Sequence, residues 1–340
     1  MLSAYSRTKL VLLLATTIAG GLIGTGYVYI IGGRLHFGML TGCLISLGVL
    51  GFELYYVHTA AGAWLRRLPF VALLLVSPLV WTVIIVASLQ LVPRFYGESM
   101  AYPEFYQGST FEQDVVFAML VSFALNGVLR IRSLIGGRVL LNFLLGRYNR
   151  PLRESRIFMF LDLADSTSLA EQLGDIEVQS LIRQFFFDIA RPIVQSGGET
   201  HRYIGDEIVV TWPLLDSRRN RRVLDCVLEI RRLIRRREKF YLKRFGVTPG
   251  FRIGLHGGSV VASEVGDDKR EIVYFGDTVN TASRLQALCK ELGCEILISQ
   301  DLLRKSELPE ALESRPMGRH TPKGKERDMS IHALAEPPPG

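Results

Sequence analysis

Cysteine is scarce in this chain: four in 340 residues, at Cys43, Cys226, Cys289 and Cys294, with no CxxC and no histidine at zinc-ligand spacing. That excludes a disulfide scaffold and a structural zinc module, and the four read as reduced structural thiols. No internal repeat is visible, which excludes a repeat architecture. The N-terminus lacks a small-x-small cleavage site followed by a mature domain, and its apolar run is too long for a signal peptide; it reads as an uncleaved membrane span. Aromatic residues are missing between the arginines of RRNRRVLDCVLEIRRLIRRREKF (residues 218–240). That argues against nucleic acid as a partner, since strand binding interleaves stacking rings with charge. Apolar Val223, Leu224, Val227, Ile230 and Ile234 recur there at helical spacing, so the segment is an amphipathic helix with an arginine-rich outer face. That face is either solvated or laid against anionic lipid.

What the chain has in excess is apolar residues, 48% of the total, concentrated before residue 130. Runs lie at about Lys9–Ile31, Phe37–Val57, Leu68–Val92 and Val115–Leu129. The third, with PFVALLLVSPLVWTVIIVASLQLV, carries no charge and exceeds the ~20 residues a span needs. The first has glycines that suit helix packing in lipid, the second holds Glu53 near one end, and the fourth is short unless it continues past Asn126. Arg7 and Lys9 precede the first run, Arg66 and Arg67 lie between the second and third, and Arg130, Arg132, Arg138, Arg147 and Arg150 follow the fourth. Between the third and fourth, Arg94 stands against Glu98, Glu104, Glu112 and Asp114. A four-span helical bundle in a lipid bilayer is expected, with both termini cytoplasmic; Arg34 alone dissents. Glu53 and His58 are the ionisable residues in or beside the spans that can form a functional pair, or both sit at the interface.

The second half alternates strands and helices, an α/β sandwich. After a basic linker helix over 130–152, ending near Gly146 before Pro151, a strand at 156–161 leads into a helical stretch from about Ser166 to Gln195, interrupted near Gly174. A hairpin follows around Gly205-Asp206, then the basic helix. FRIGLHGGSVVASEVG reads as a second hairpin turning at Gly257-Gly258; strands are expected near Ile272–Phe275 and Cys294–Ser299, with an irregular end and a disordered tail over 336–340.

Four polar residues stand out in this half. Asp162 ends the apolar run RIFMFLDLADST, and Asp206 lies at the hairpin tip in HRYIGDEIVV. Asn280 and Arg284 lie four apart in FGDTVNTASRL, on one face of a helix. Two carboxylates on rigid elements suit a pair of Mg²⁺ ions, and an amide with a guanidinium suits orienting a sugar and neutralising a phosphate. Each also has a structural alternative: Asp162 as a helix cap, Asp206 as a turn former, Asn280 as a cap, Arg284 as a surface arginine.

In order and spacing these motifs resemble the class III adenylate/guanylate cyclase domain over about residues 150–335. The resemblance implies a catalytic domain over 153–335 with a ferredoxin-like βαββαβ core, and an inner-membrane protein of bacterial type; the apolar runs put the membrane domain before it, over 1–129. It implies conversion of ATP to 3′,5′-cyclic AMP and pyrophosphate, assisted by two Mg²⁺ (or Mn²⁺) ions on Asp162, Asp206 and the Leu163 carbonyl. Asn280 would orient the ribose and Arg284 would stabilise the phosphorus centre, and the family builds each site from two protomers, so a homodimer is implied. Ala164, Asp165, Ser166 and Thr167 open a helix whose N–H groups suit phosphate oxygens, though many members have Gly-Phe in place of Asp165-Ser166. Lys323 and Lys325 fall where the family places a phosphate-binding lysine. At the base pocket the family's adenylate cyclases carry Lys and Asp or Thr; this chain has Arg202 and Val273. Arg202 can donate to adenine N1 or guanine O6, while Val273 offers no hydrogen bond, so weak discrimination between bases is expected. A guanylate or dual-specificity cyclase and a catalytically silent nucleotide-binding membrane sensor remain as alternatives. Diguanylate cyclases, which share the GDE hairpin, lack the Asn/Arg helix.

Overall fold

The structure, a computed structural model, describes residues 4–31, 34–54, 56, 70–95, 111–135, 141–142, 145–268, 270–320 and 328–337. The chain divides into two units, Met1–Leu134 and Ile135–Gly340.

Among the described residues the first unit holds four helices: α1 (Ala4–Ile31), α2 (Leu35–Leu54), α3 (Phe70–Phe95) and α4 (Phe111–Ile135). Glycines set the approach of α1 to α2. A Cβ on Gly24 would lie 2.1 Å from the Gly38 carbonyl oxygen, and one on Gly42 would lie 2.1 Å from that of Gly20. Both helices thus carry the small-xxx-small spacing that lets backbones touch. Phe37 and Val49 of α2 pack with Trp81, Ile85, Leu89 and Val92 of α3. Helix α4 starts earlier than the apolar run it contains: Tyr27 donates a 2.7 Å hydrogen bond to buried Asp114 in its first turn. Among the described residues two stretches, Leu13–Ile31 and Leu35–Glu53, are long and apolar enough to cross a membrane, and Val76–Val92 is a shorter one. His58 lies outside the described residues.

The second unit is one mixed sheet with helices on it. Its elements are β1 (Leu152–Leu163), α5 (Ser166–Leu173), α6 (Asp175–Gln195), β2 (Glu199–Ile204), β3 (Glu207–Pro213), α7 (Ser217–Arg236), α8 (Glu238–Phe245), β4 (Phe251–Val265), β5 (Glu271–Phe275), α9 (Asp277–Glu291), β6 (Ile296–Ser299), α10 (Gln300–Arg304), β7 (Glu313–His320) and β8 (Met329–Ala335). The strand order is β2-β3-β1-β4-β6-β8-β7, with β5 beside β4; among the described residues only the β4–β6 pairing is parallel. From β1 to β4 the elements run βαββαβ, as expected.

Alternation along β1 explains its two-sided burial. Ile157, Met159, Leu161 and Leu163 enter a core with Phe185 and Ile189 of α6 and Val223, Val227 and Ile230 of α7. Phe158 and Phe160 face the other way, against Val209, Val260 and Ala282 of α9. Burying one such large side chain contributes roughly 2–3 kcal/mol, so this doubly covered strand anchors whatever follows it. The apolar stripe foreseen for the basic helix is buried in α7, which ends at Arg236, with Arg237 between it and α8. Its arginines are engaged by the chain's own carboxylates: Arg219 with Asp216 (2.9 Å), Arg221 with Glu307 (2.7 Å), Arg231 with Glu295 (3.0 Å), and Arg235 with Glu336.

Two expectations fail here. Residues 251–265 form one continuous strand, β4, rather than a hairpin turning at Gly257-Gly258. The glycines serve close packing instead of a turn: a Cβ on Gly254 would meet the Ala282 carbonyl oxygen at 2.3 Å, and one on Gly258 the Thr278 hydroxyl at 2.6 Å. Their absent side chains let α9 lie directly on β4. Where an irregular end was expected, residues 313–320 and 329–335 instead form an antiparallel pair, β7 and β8. Little hydrophobic alternation marks β7, whose sequence is ESRPMGRH.

Candidate active site

Asp162 continues the face of Phe158 and Phe160, so it emerges on the α9 side of the sheet where the apolar layer stops. Register places Glu207 of β3 opposite it on one side and Arg252 of β4 on the other. Asp206 occupies the tight turn between β2 and β3 beside Gly205, whose φ of +62° suits glycine. The Leu163 amide donates to the Asp206 carbonyl oxygen at 3.3 Å, tying the turn to the end of β1.

This arrangement concentrates negative charge. Burial, then the nearby Asp206 carboxylate, pushes the Asp162 carboxyl up to about 6; hydrogen bonding from Gln286 and the charge of Arg252 oppose the rise. Burial, then Asp162 and Asp206, pushes Glu207 up to about 7. Half-buried carboxyls crowded by like charge form a site that a cation would relieve. Among the described residues no group of three or more His, Cys, Asp or Glu side chains is placed to hold a metal by itself. A pair of carboxylates of this kind fits Mg²⁺, which completes its octahedron with water and substrate phosphate.

The backbone turns sharply after Leu163. Asp165 takes φ +57°, and α5 begins at Ser166. The Ala164 amide is already spent on the Gly250 carbonyl oxygen at 2.8 Å. It is therefore not a free donor, and the unsatisfied N–H groups belong to the first turn from Ser166 and Thr167. Asp165 does not cap that helix with its side chain; it accepts a 3.1 Å bond from Arg252, which offsets its charge beside the helix start.

Helix α9 starts after Gly276, and its apolar side, with Thr278, Thr281, Ala282 and Leu285, is buried. Gln286 Nε2 donates to Asp162 Oδ2 at 3.3 Å. Arg284 lies two residues before Gln286, about 200° away around the helix, and Asn280 is exposed. Among the described residues neither Asn280 nor Arg284 has a side-chain hydrogen bond or ion pair. The structure thus gathers Asp162, Leu163 and Asp206 in one place and leaves Asn280 and Arg284 together on a different face.

The base-pocket candidates lie on β2 and β5. Arg202 follows an irregularity in the β2–β3 pairing, and Val273 pairs with Ser263 of β4. Lys323 and Lys325 lie outside the described residues. Sequence reasoning missed Glu207, Arg252 and Gln286. The first two were accessible from strand register with Asp162, had the length of β4 been read correctly; Gln286 needed the helix to be docked.

A family model described as the adenylate and guanylate cyclase catalytic domain matches residues 153–335. The chain belongs to that family. Along nearly its whole length this cyclase is similar to "Adenylate cyclase 2" of Rhizobium meliloti (strain 1021), with 33% identity over 332 residues, 97% of this chain and 91% of that protein. It is 31% identical over 186 residues to "Adenylate cyclase" of Anabaena cylindrica, covering 52% of this chain and 36% of that one. Among solved structures, a bacterial light-regulated adenylyl cyclase shares the fold at TM-score 0.55 and 19% identity, over 70% of this chain and 71% of that chain.

Proposed function

We infer that this chain is a membrane-anchored adenylate cyclase that converts ATP to 3′,5′-cyclic AMP and pyrophosphate. Similarity to an adenylate cyclase over 91% of that protein's length supports the activity. The observation that carries the site is the carboxylate pair Asp162–Asp206, held by strand and turn backbone beside Leu163 and electrostatically primed for a cation. Two Mg²⁺ (or Mn²⁺) ions on Asp162, Asp206 and the Leu163 carbonyl would lower the pKa of the 3′-hydroxyl and neutralise the triphosphate. The remaining work is positioning: the attacking 3′-oxygen must lie in line with the α-phosphorus and the leaving pyrophosphate oxygen. The first-turn N–H groups of α5 receive phosphate oxygens. Asn280 orients the ribose, Arg284 meets the charge that grows on the phosphoryl oxygens, and Arg202 and Val273 border the base.

Asn280 and Arg284 project away from the Asp162 of their own chain, because that side of α9 belongs to Gln286. This supports a homodimer in which each site takes its carboxylates from one protomer and its Asn/Arg pair from the other. Four spans over 1–129 form the membrane domain, drawn from α1–α4, the last of which runs on to Ile135 into a linker over 130–152; the catalytic domain from 153 faces the cytoplasm, where ATP is. Large apolar side chains such as Val11, Leu22, Ile30, Leu79, Val83 and Leu120 stand exposed on these helices, as lipid contact requires. The test is product analysis on the full-length protein with Mg²⁺ or Mn²⁺, offering ATP and GTP separately. Cyclic AMP made by the parent and absent from Asp162→Ala supports the reading. Cyclic GMP at a comparable rate would move it to a relaxed-specificity cyclase, and no product from dimeric protein would leave a nucleotide-binding sensor.

A further inference from the structure

Val273 leaves the base pocket without a polar side chain on β5 at the expected place, yet the strand supplies one two residues earlier. Arg202 Nη2 donates to Glu271 Oε2 at 2.5 Å. We propose that Glu271 is a specificity-determining residue, the acceptor that completes recognition of the adenine edge with Arg202; this rests on the reading of Arg202 as a base contact.

The strands place Glu271 for this. Glu271 and Val273 are separated by two residues along β5 and so point to the same side of the strand, while Tyr274 points to the other. Tyr274 fixes where β5 lies. Its ring meets Phe158 edge-on at 5.4 Å and His201 at 5.0 Å, and the Arg156 guanidinium sits 5.0 Å from its centroid. Buried Arg156 is itself clamped by Glu154 at 2.8 Å and Glu199 at 3.2 Å. Strands β1, β2 and β5 are therefore held together beneath the pocket without help from Glu271. The Arg202–Glu271 pair above them is 45% and 37% exposed, so a ligand can reach both groups. An ion pair this accessible adds little to stability; what it offers is a fixed donor next to a fixed acceptor.

That pairing has a chemical match. A guanidinium keeps further N–H donors after making one bond, and a carboxylate keeps further lone pairs. Adenine presents an acceptor at N1 beside the donor amino group at N6. Guanine reverses the two, with a donor at N1 and an acceptor at O6, so in the same pose both contacts become like-against-like. Once a base covers the pair, such a site discriminates by leaving its polar groups unpaired with the wrong base. Arg202 with Glu271 thereby supplies the discrimination that Val273 alone cannot.

The experiment measures kcat and KM for ATP and GTP on full-length parent, Glu271→Ala, Glu271→Asp, Glu271→Gln and Arg202→Ala. For Glu271→Ala the expected result is a KM for ATP raised by about 10-fold with kcat changed far less, and an ATP-over-GTP preference in kcat/KM reduced by at least about 10-fold. Glu271→Asp should recover part of both, and Glu271→Gln, whose amide oxygen still accepts from N6 but no longer pairs with the Arg202 charge, should fall between the parent and the alanine variant. Unchanged KM and preference in the Glu271 variants, with both altered in Arg202→Ala, would overturn the role of Glu271 while leaving the pocket in place. If Arg202→Ala also changes neither, the base-contact reading of Arg202 fails, and the inference with it.

Discussion

Replacing Gly254 with alanine tests how tightly catalysis depends on α9 lying directly on β4. The added Cβ would sit 2.3 Å from the Ala282 carbonyl oxygen and the Gln286 nitrogen, and 2.9 Å from the Gln286 Cα. All three are helix backbone, which cannot rotate aside. Reaching an ordinary contact of 3.4 Å requires the helix to retreat by roughly 1.1 Å, the difference between 3.4 and 2.3. Overpacking of this kind costs about 1–3 kcal/mol, which for a domain of this size lowers Tm by roughly 2–12 °C. Asn280 and Arg284 ride on the displaced helix, and a displacement of about 1 Å at reacting groups costs on the order of 100-fold in rate. Cyclic AMP formation and thermal unfolding, measured on the same detergent-solubilised protein, should therefore show a loss of activity far larger than the loss of folded protein. Gly174→Ala is the comparison: φ of +79° with open space around it makes alanine strained there without moving α9. It should lose about 1–3 kcal/mol of stability and keep most activity. Full activity and an unchanged Tm in Gly254→Ala would refute the reasoning.

The carboxylate cluster gives a pH prediction for the metal-free protein. Asp162 at about 6 and Glu207 at about 7 lie above their ordinary values of 3.8 and 4.5, so the folded state holds protons that the unfolded state releases. Their stabilising contribution is complete below about pH 4 and is lost as pH rises through 6 and 7. Asp162→Asn should consequently melt above the parent at about pH 7.5 and match it near pH 4; a difference that does not vary with pH would contradict this. Saturating Mg²⁺ should raise the Tm of the parent and not that of Asp162→Asn, since only a state that binds the ion is stabilised by it. At the opposite side of the sheet, Asp188 is buried with Tyr241 Oη at 2.6 Å, Gln184 Nε2 at 3.0 Å and the Arg237 guanidinium. Asp188→Ala strands those donors and should cost about 3 kcal/mol, at the low end for a broken buried pair because Arg237 is 30% exposed and can turn to water; urea unfolding measures it.

Much of this was legible because it depended on local pattern. Asp162 and Asp206 drew attention only in combination, because their motifs occur in order and spacing with that of Asn280 and Arg284; either alone reads equally as a cap or a turn former. The buried stripe of α7 followed from helical spacing of Val223, Val227, Ile230 and Ile234. The failures came where glycine and pairing carry non-local meaning. Gly257 and Gly258 looked like a turn, yet they lie within a 15-residue strand whose glycines admit a helix. Gln286 was invisible because its partner Asp162 lies 124 residues away. Glu271 was passed over for Val273, since the motif fixes a position and the fold decides which neighbouring side chain reaches Arg202.

The most direct test of the central claim is cyclic AMP formation from ATP by an equal mixture of Asp162→Ala and Arg284→Ala chains, co-expressed so that they form mixed dimers. Each variant alone should be inactive, the first lacking a carboxylate in both sites and the second lacking the guanidinium in both. In a mixed dimer one site carries both lesions and the other carries neither. With random pairing half the dimers are mixed, so activity should recover to about a quarter of the parent level. No recovery from variants that are folded and dimeric would contradict a site shared between two copies of the chain.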